Sequence, residues 1–70
     1  MAHAMIKSIL VSEVVRMIAE KFQLSEEEAM DQFYTSGTAE ALSDDETGLY
    51  GQSALFIFGL FCQEKARAFE

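Results

Sequence analysis

The chain has 70 residues, a formal net charge of −7 from 12 acidic and 5 basic side chains, one cysteine and no proline. A domain this small buries only about 60% of the surface of its unfolded chain, so we expect a marginal fold that gains stability from self-association. The negative charge disfavours direct binding to nucleic acid, and a single cysteine excludes an intramolecular disulfide.

The longest apolar run, residues 54–62, is well short of the roughly 20 residues that cross a bilayer. The N-terminus lacks the basic and apolar regions of a signal peptide, so we expect a cytoplasmic protein. We interpret residues 1–5 either as the ordinary start of the chain or as an expression remnant. In the second case, Met5 is the native initiator. Residues 6–70 are expected to form a single helical domain.

Residues 6–22 carry apolar side chains at helical spacing, with most polar residues on the remaining face. This pattern predicts a first helix of four to five turns that is buried along one broad side. Its apolar positions are Ile6, Leu10, Val11, Val14, Val15, Met17, Ile18 and Phe22.

A second helix is predicted to start at Ser25, because Ser25 and Glu28 have the spacing of a capping box. One-turn spacing would place Glu27 and Asp31 on one face of this helix. Gly37 is expected to end the helix in the left-handed conformation that glycine adopts easily.

A brief third helix is predicted to run from a Thr38 cap to Leu42, before an acidic turn over residues 43–48. The two glycines that follow, at positions 48 and 51, permit a tight turn, and Ser53 or Thr47 is expected to cap the last helix.

The apolar run itself is open to two interpretations, since a buried strand over residues 55–61 has similar periodicity and high aromatic content. Length favours a helix, because the run continues into strong helix formers and no second strand-like segment exists to pair with it. This helix is apolar nearly all round and is therefore expected to be central. One stripe along it comprises Leu55, Phe58, Cys62, Ala66 and Phe69.

Catalytic and metal-binding chemistry has little support in the sequence. Cys62 lies in the apolar run and His3 near the terminus, so a nucleophile and base pair is not expected. Two Cys or His residues are too few for a zinc site. A calcium loop starting at Asp44 fails because its sixth residue is Leu49 rather than glycine. The carboxylates are interpreted as solvated capping and turn charges or as a surface that contacts a partner.

Three short segments carry a resemblance to a known group of proteins: Phe-Tyr-Thr-Ser at 33–36, Glu-Thr-Gly-Leu-Tyr at 46–50 and Gln-Ser at 52–53. Together with the capped second helix, they resemble short uncharacterised bacterial helical proteins, some of them encoded beside ADP-ribosyltransferase-like toxin domains. The resemblance covers about residues 5–64. It implies a helical, non-catalytic accessory protein that neutralises a partner, and it implies no site residues.

The sequence therefore predicts a compact all-α bundle of three to four helices, with no cofactor or metal and no enzymatic activity. We expect a small acidic inhibitor or neutraliser of a protein with a basic surface, either antitoxin-like or a DNA mimic of the anti-CRISPR kind. The alternative is a structural homo-oligomer, such as a homodimer, formed through the Phe-rich C-terminal helix. The expected partner-binding residues are Glu26, Glu27, Asp31, Tyr34, Asp44, Asp45, Glu46 and Tyr50.

Overall fold

Four helices form the fold in the computed structural model, which describes residues 4–68 and the side chains of residues 4–67. They are α1 (Ala4–Phe22), α2 (Glu26–Tyr34), α3 (Gly37–Ser43) and α4 (Ala54–Ala68). Two single turns of 3-10 helix, Asp45–Thr47 and Leu49–Gly51, connect α3 to α4. The prediction of an all-α bundle is confirmed.

The start of α1 lies two residues earlier than predicted, since Ala4 and Met5 continue the helix with exposed side chains. Residues 1–3, including His3, lie outside the described part of the chain. The interpretation of residues 1–5 as an extension therefore stays a prediction.

Helix α1 is the element against which both α2 and α4 pack, and α3 packs on α2 and α4. Apolar side chains from all four helices meet in one core. Its buried members are Leu10, Val14, Val15, Ile18, Ala29, Phe33, Leu42, Ala54, Ile57 and Phe61.

Aromatic rings join three of the helices within this core. The ring centroid of Phe61 in α4 lies 6.1 Å from that of Phe33 in α2 and 6.4 Å from that of Phe22 in α1. Phe33 and Phe61 are fully buried. Rings at this separation contribute favourable contacts beyond their area, so Phe61 links α4 to the rest of the bundle.

Capping residues fix where α2 and α4 begin. The Ser25 hydroxyl accepts a hydrogen bond from the Glu28 backbone N–H at 3.1 Å, and the Glu28 carboxylate accepts one from the Ser25 N–H at 3.1 Å. The predicted capping box is thus confirmed. Of the two residues expected to cap α4, Ser53 does so, because its hydroxyl accepts from Phe56 N–H.

The boundary between α2 and α3 differs from the prediction. Helix α2 ends at Tyr34, and Gly37 is the first residue of α3 rather than a left-handed terminator. Ser36, not Thr38, caps α3 by accepting from Ala39 N–H at 3.2 Å. Thr35 and Ser36 connect the two helices, and both have a negative φ. The connection therefore needs no residue in the left-handed conformation.

Helix α4 is confirmed as a helix rather than a strand, but its burial differs from the predicted arrangement. Ile57 and Phe61 point into the core, whereas Leu55 is 67% exposed and Phe56 is 49% exposed. The prediction of a central helix that is surrounded on all sides is therefore wrong, because the side that carries Leu55 and Phe56 is exposed. The reason is geometric: α1 and α3 cover one side of α4, and within residues 4–68 no other helix covers the opposite side.

Candidate functional site

The outer face of α2 carries three of the predicted partner-binding residues. Glu27, Asp31 and Tyr34 follow one another at one-turn spacing and are exposed, with 60% of Tyr34 accessible to solvent. The capping box places Glu26 and Glu27 in the first turn, where the helix dipole favours negative charge. No ion pair neutralises Glu26, Glu27 or Asp31 within the described residues. We call Glu27, Asp31 and Tyr34 the acidic face.

The acidic turn formed by Asp44, Asp45 and Glu46 is tied to α1 by one lysine. Lys7 Nζ forms an ion pair with Asp45 and donates a hydrogen bond to the Ser43 carbonyl at 3.0 Å. Asp44 accepts from the Glu46 backbone N–H at 3.0 Å and so caps the 3-10 turn. Part of this acidic turn therefore stabilises the fold, and the charge of Asp45 is compensated by Lys7.

Tyr50 differs from Tyr34 in its exposure. Its ring packs against the core and is half-buried, so it is not an exposed anchor. Lys7 Nζ lies 5.9 Å from the centroid of the Tyr50 ring, within the range of a cation–π contact. Tyr50 and Asp45 thus meet at Lys7, whereas Tyr34 lies on another element and faces solvent.

A groove runs between α1 and α2 and ends against α3. It contains two adjoining cavities, of about 420 Å³ and about 190 Å³, that share Val11 and Tyr34 in their walls. Val11 and Ala39 contribute half-buried apolar surface to the larger cavity, and the exposed side chain of Met30 does so in the smaller one. We call this the Tyr34 groove. Its larger cavity falls within the range of pockets that accept a ligand or an anchoring side chain.

Charged side chains line both walls of the Tyr34 groove. Lys7 and Arg16 lie on the α1 side, and Glu26 and Glu40 lie on the side of α2 and α3. Since Lys7 is paired with Asp45, the charges left for a ligand in the described walls are those of Arg16, Glu26 and Glu40. These three charges give the groove a net negative character, strongest along the α2 and α3 wall.

The structure brings some of the predicted site residues together and separates others. Glu26 and Tyr34 line the groove, and Glu27 and Asp31 lie beside it on the outer face of α2. The acidic turn follows the far end of the groove, where Lys7 and Ser43 lie.

Sequence reasoning missed Val11, Met30 and Glu40 as groove residues. Val11 had been assigned to the buried stripe of α1, and it proves to be only half-buried at the edge of that stripe. Met30 lies one turn from Glu26 and one turn from Tyr34, which was the available signal that these three share a face. Nothing local marked Glu40, because α3 meets α1 only through the tertiary fold.

One carboxylate holds the α3 wall in place. Glu64 of α4 accepts hydrogen bonds from Gly37 N–H at 2.7 Å, from Thr38 N–H at 3.0 Å and from the Thr38 hydroxyl at 2.8 Å. The pKa of Glu64 is held below its ordinary value, and the largest cause is the hydrogen bond from Gly37 N–H. Partial burial raises this pKa, but the two hydrogen bonds from Thr38 and the charge of Lys65 lower it further. Glu64 thus binds α4 to the N-terminus of α3.

In the part of the chain that the structure describes, few features indicate thiol chemistry, metal binding or a membrane-spanning segment. Cys62 is a half-buried thiol on α4. Among residues 4–68 no group of three or more His, Cys, Asp or Glu side chains is arranged to hold a metal ion. In the same range, no helix combines the length and apolar character that spanning a membrane requires.

Taken together, the fold and the site define a small all-α domain with an acidic face, an adjoining groove and an exposed apolar side of α4. In comparisons with known proteins, no family model, no curated protein and no solved structure matches this chain.

Proposed function

We propose that this protein is an acidic, non-catalytic binding module that inhibits or neutralises a protein with a basic surface. The observation that supports the proposal best is the acidic face, in which Glu27 and Asp31 are exposed, with no ion pair to another described residue, beside the exposed ring of Tyr34. The Tyr34 groove adjoins this face and offers apolar surface to the same partner.

Charge and aromatic surface have different roles in such a complex. Unpaired carboxylates raise the rate of encounter with a basic partner, and this effect weakens as salt increases. An exposed tyrosine provides apolar contact area and a hydroxyl at a low cost in side-chain entropy, so Tyr34 is the expected anchor. Lys7 ties the acidic turn to α1 through Asp45, and we expect the exposed side chains of Asp44 and Glu46 to extend the negative surface beyond the groove.

Two kinds of basic partner fit the proposal. One is a toxin, as the resemblance to proteins encoded beside toxin domains implies. The other is a nucleic-acid-binding protein whose groove accepts this chain in place of DNA, as in the anti-CRISPR hypothesis. In both, the formal charge of −7 makes the chain itself a poor ligand for nucleic acid.

Affinity purification of the tagged protein from its own host, followed by identification of the co-purifying chains, supplies the partner. Binding kinetics are then measured for the double variant Glu27→Lys with Asp31→Lys. The control is Glu13→Lys with Glu20→Lys on exposed positions of α1, which makes the same change in net charge.

We expect the α2 double variant to lower the association rate constant at low salt by about tenfold or more, and the α1 control to lower it less. Equal effects of the two double variants would mean that only overall charge matters. Unchanged kinetics in the α2 variant would contradict the proposed function.

A second candidate is the structural homo-oligomer formed through α4. It is favoured by the exposure of Leu55 and Phe56, and by Gly59, where an added Cβ would meet nothing within 4 Å. A glycine inside a helix costs about 1 kcal/mol relative to alanine, and among the described residues no contact at this position explains it. The molecular mass in solution at micromolar concentration tests this candidate: Leu55→Glu should dissociate such an oligomer, whereas Ile9→Glu on α1 should not.

A further inference from the structure

The length of the Tyr34 groove suits a short helix. Along α1 it extends from Lys7 to Arg16, and along α2 from Glu26 to Tyr34. At 1.5 Å per residue these stretches measure about 13.5 Å and about 12 Å. A helix whose apolar residues are spaced i, i+4 and i+7 presents them over about 10.5 Å, so two turns to two and a half turns fit within the groove.

We propose that the Tyr34 groove binds a basic amphipathic α-helix of the partner protein. This inference rests on the proposed function and adds to it the secondary structure and chemistry of the segment that is recognised. The apolar stripe of the helix lies on Val11, Met30 and Tyr34, and its basic residues face α2 and α3.

The two cavities differ in volume, so we expect the bound helix to carry anchors of two sizes. The larger, about 420 Å³, accepts a leucine or an aromatic side chain against Val11, Ala39 and Tyr34. The smaller, about 190 Å³, accepts a smaller side chain beside Met30. Tyr34 borders both cavities and is 60% exposed in the free protein, so it contacts the helix at the centre of the interface.

Charge complementarity identifies the occupant as basic. Glu26 and Glu40 lie on the α2 and α3 wall, and no ion pair neutralises either of them among the described residues. Glu27 and Asp31 extend this negative charge outside the groove. Arg16 is the one base of the described walls that is not engaged in an ion pair, which orients the helix with its basic flank away from α1.

The groove walls also disfavour a peptide that binds by strand addition. That mode adds an extended segment to an exposed sheet edge and requires free backbone donors and acceptors. The walls here are the sides of α1 and α2, whose backbone groups are hydrogen-bonded within each helix. Side-chain packing is therefore the available mode of recognition.

The experiment uses a fluorescein-labelled peptide of leucine, lysine and alanine, fourteen residues long, with leucines at i, i+4 and i+7. One control peptide has the same composition with its leucines distributed around the helix, and another keeps the leucine spacing with glutamate in place of lysine. Dissociation constants are measured by fluorescence anisotropy, and the binding site is mapped by amide chemical-shift changes in the isotope-labelled protein.

We expect the first peptide to bind at least about tenfold more tightly than either control peptide. The largest shift changes should occur at residues 7–16, 26–34 and 36–43. Tyr34→Ala should weaken binding by about tenfold. Glu40→Lys should weaken it by several fold more than Glu13→Lys, which makes the same charge change outside the groove. Circular dichroism verifies that each variant remains helical.

Two results would overturn the inference. One is equal binding of the striped and distributed peptides, which would mean that the protein recognises only positive charge. The other is a set of shift changes confined to residues 55–66, which would place the peptide on the exposed side of α4. In either case the charge-reversal test of the proposed function is unaffected, because it uses the natural partner and the acidic face of α2.

Discussion

Replacement of Glu64 tests how α3 is held on α4. Both carboxylate oxygens are used: one accepts from Gly37 N–H, and the other accepts from the N–H and hydroxyl of Thr38. In Glu64→Gln the amide oxygen can keep the Thr38 bonds, but the amide NH₂ then faces the Gly37 N–H, and two donors oppose each other. Glu64→Ala loses all three bonds.

The size of the effect follows from the role of Glu64 as a cap. Loss of a capping side chain costs about 0.5–2 kcal/mol, and loss of a negative charge at a helix N-terminus costs about 0.3–1 kcal/mol. Because solvent reaches part of this carboxylate, we expect losses of about 1 kcal/mol for Glu64→Gln and about 2 kcal/mol for Glu64→Ala. For a domain of this size, 1 kcal/mol corresponds to a decrease in Tm of about 4–8 °C.

The effect should depend on pH, because the pKa of Glu64 is lowered in the folded protein. A carboxylate with a lowered pKa stabilises the fold above its unfolded pKa, and this contribution is lost as pH falls through the folded pKa. Urea unfolding should therefore give a large difference between wild type and Glu64→Gln at neutral pH and a small one in strong acid. Glu13→Gln, on the exposed side of α1, is the control. A difference that stays constant with pH would refute the reasoning.

Five further substitutions test the packing and the local conformations. Phe61→Ala should destabilise the fold by about 3–5 kcal/mol because its ring is fully buried, whereas Phe56→Ala on the same helix should cost less than about 1 kcal/mol. Chemical denaturation measures both losses. Similar losses for the two variants would contradict the orientation of α4. Ser25→Ala should cost about 1 kcal/mol by removing the α2 cap, as measured by thermal unfolding, and an unchanged Tm would argue against the capping box. Gly48→Ala should destabilise the fold by about 1 kcal/mol because φ is 70° at this position. Gly59→Ala should stabilise the monomer by a similar amount, because an added Cβ meets nothing within 4 Å. The urea midpoints of the two variants should therefore move in opposite directions.

Much of the local structure could be predicted because its causes lie within a few residues. The cap at Ser25 and the cap at Ser53 act on backbone groups three residues away, so the starts of α2 and α4 could be inferred from the sequence. The apolar stripe of α1 likewise predicted the burial of Val14 and Ile18. The positions of Glu27 and Asp31 on one exposed face of α2 follow from helix geometry alone.

Gly37 shows where local reasoning was insufficient. Glycine permits a left-handed helix end but does not require one, and here it is the first residue of α3, with Ser36 as the N-cap and its own N–H donated to the Glu64 carboxylate. That contact joins residues 27 positions apart, and no local pattern indicates it.

Only the tertiary structure decided which side of α4 is buried. A helix that is apolar all round has no strong amphipathic direction, so its orientation depends on the neighbours that pack on it. These neighbours select Ile57 and Phe61 for the core and leave Leu55 and Phe56 exposed. The Tyr34 groove has the same origin, since its cavities exist only where the sides of α1, α2 and α3 meet. The sequence thus determined the helices and the caps of α2 and α4 through short-range hydrogen bonding, whereas packing between distant segments decided the surfaces available for binding.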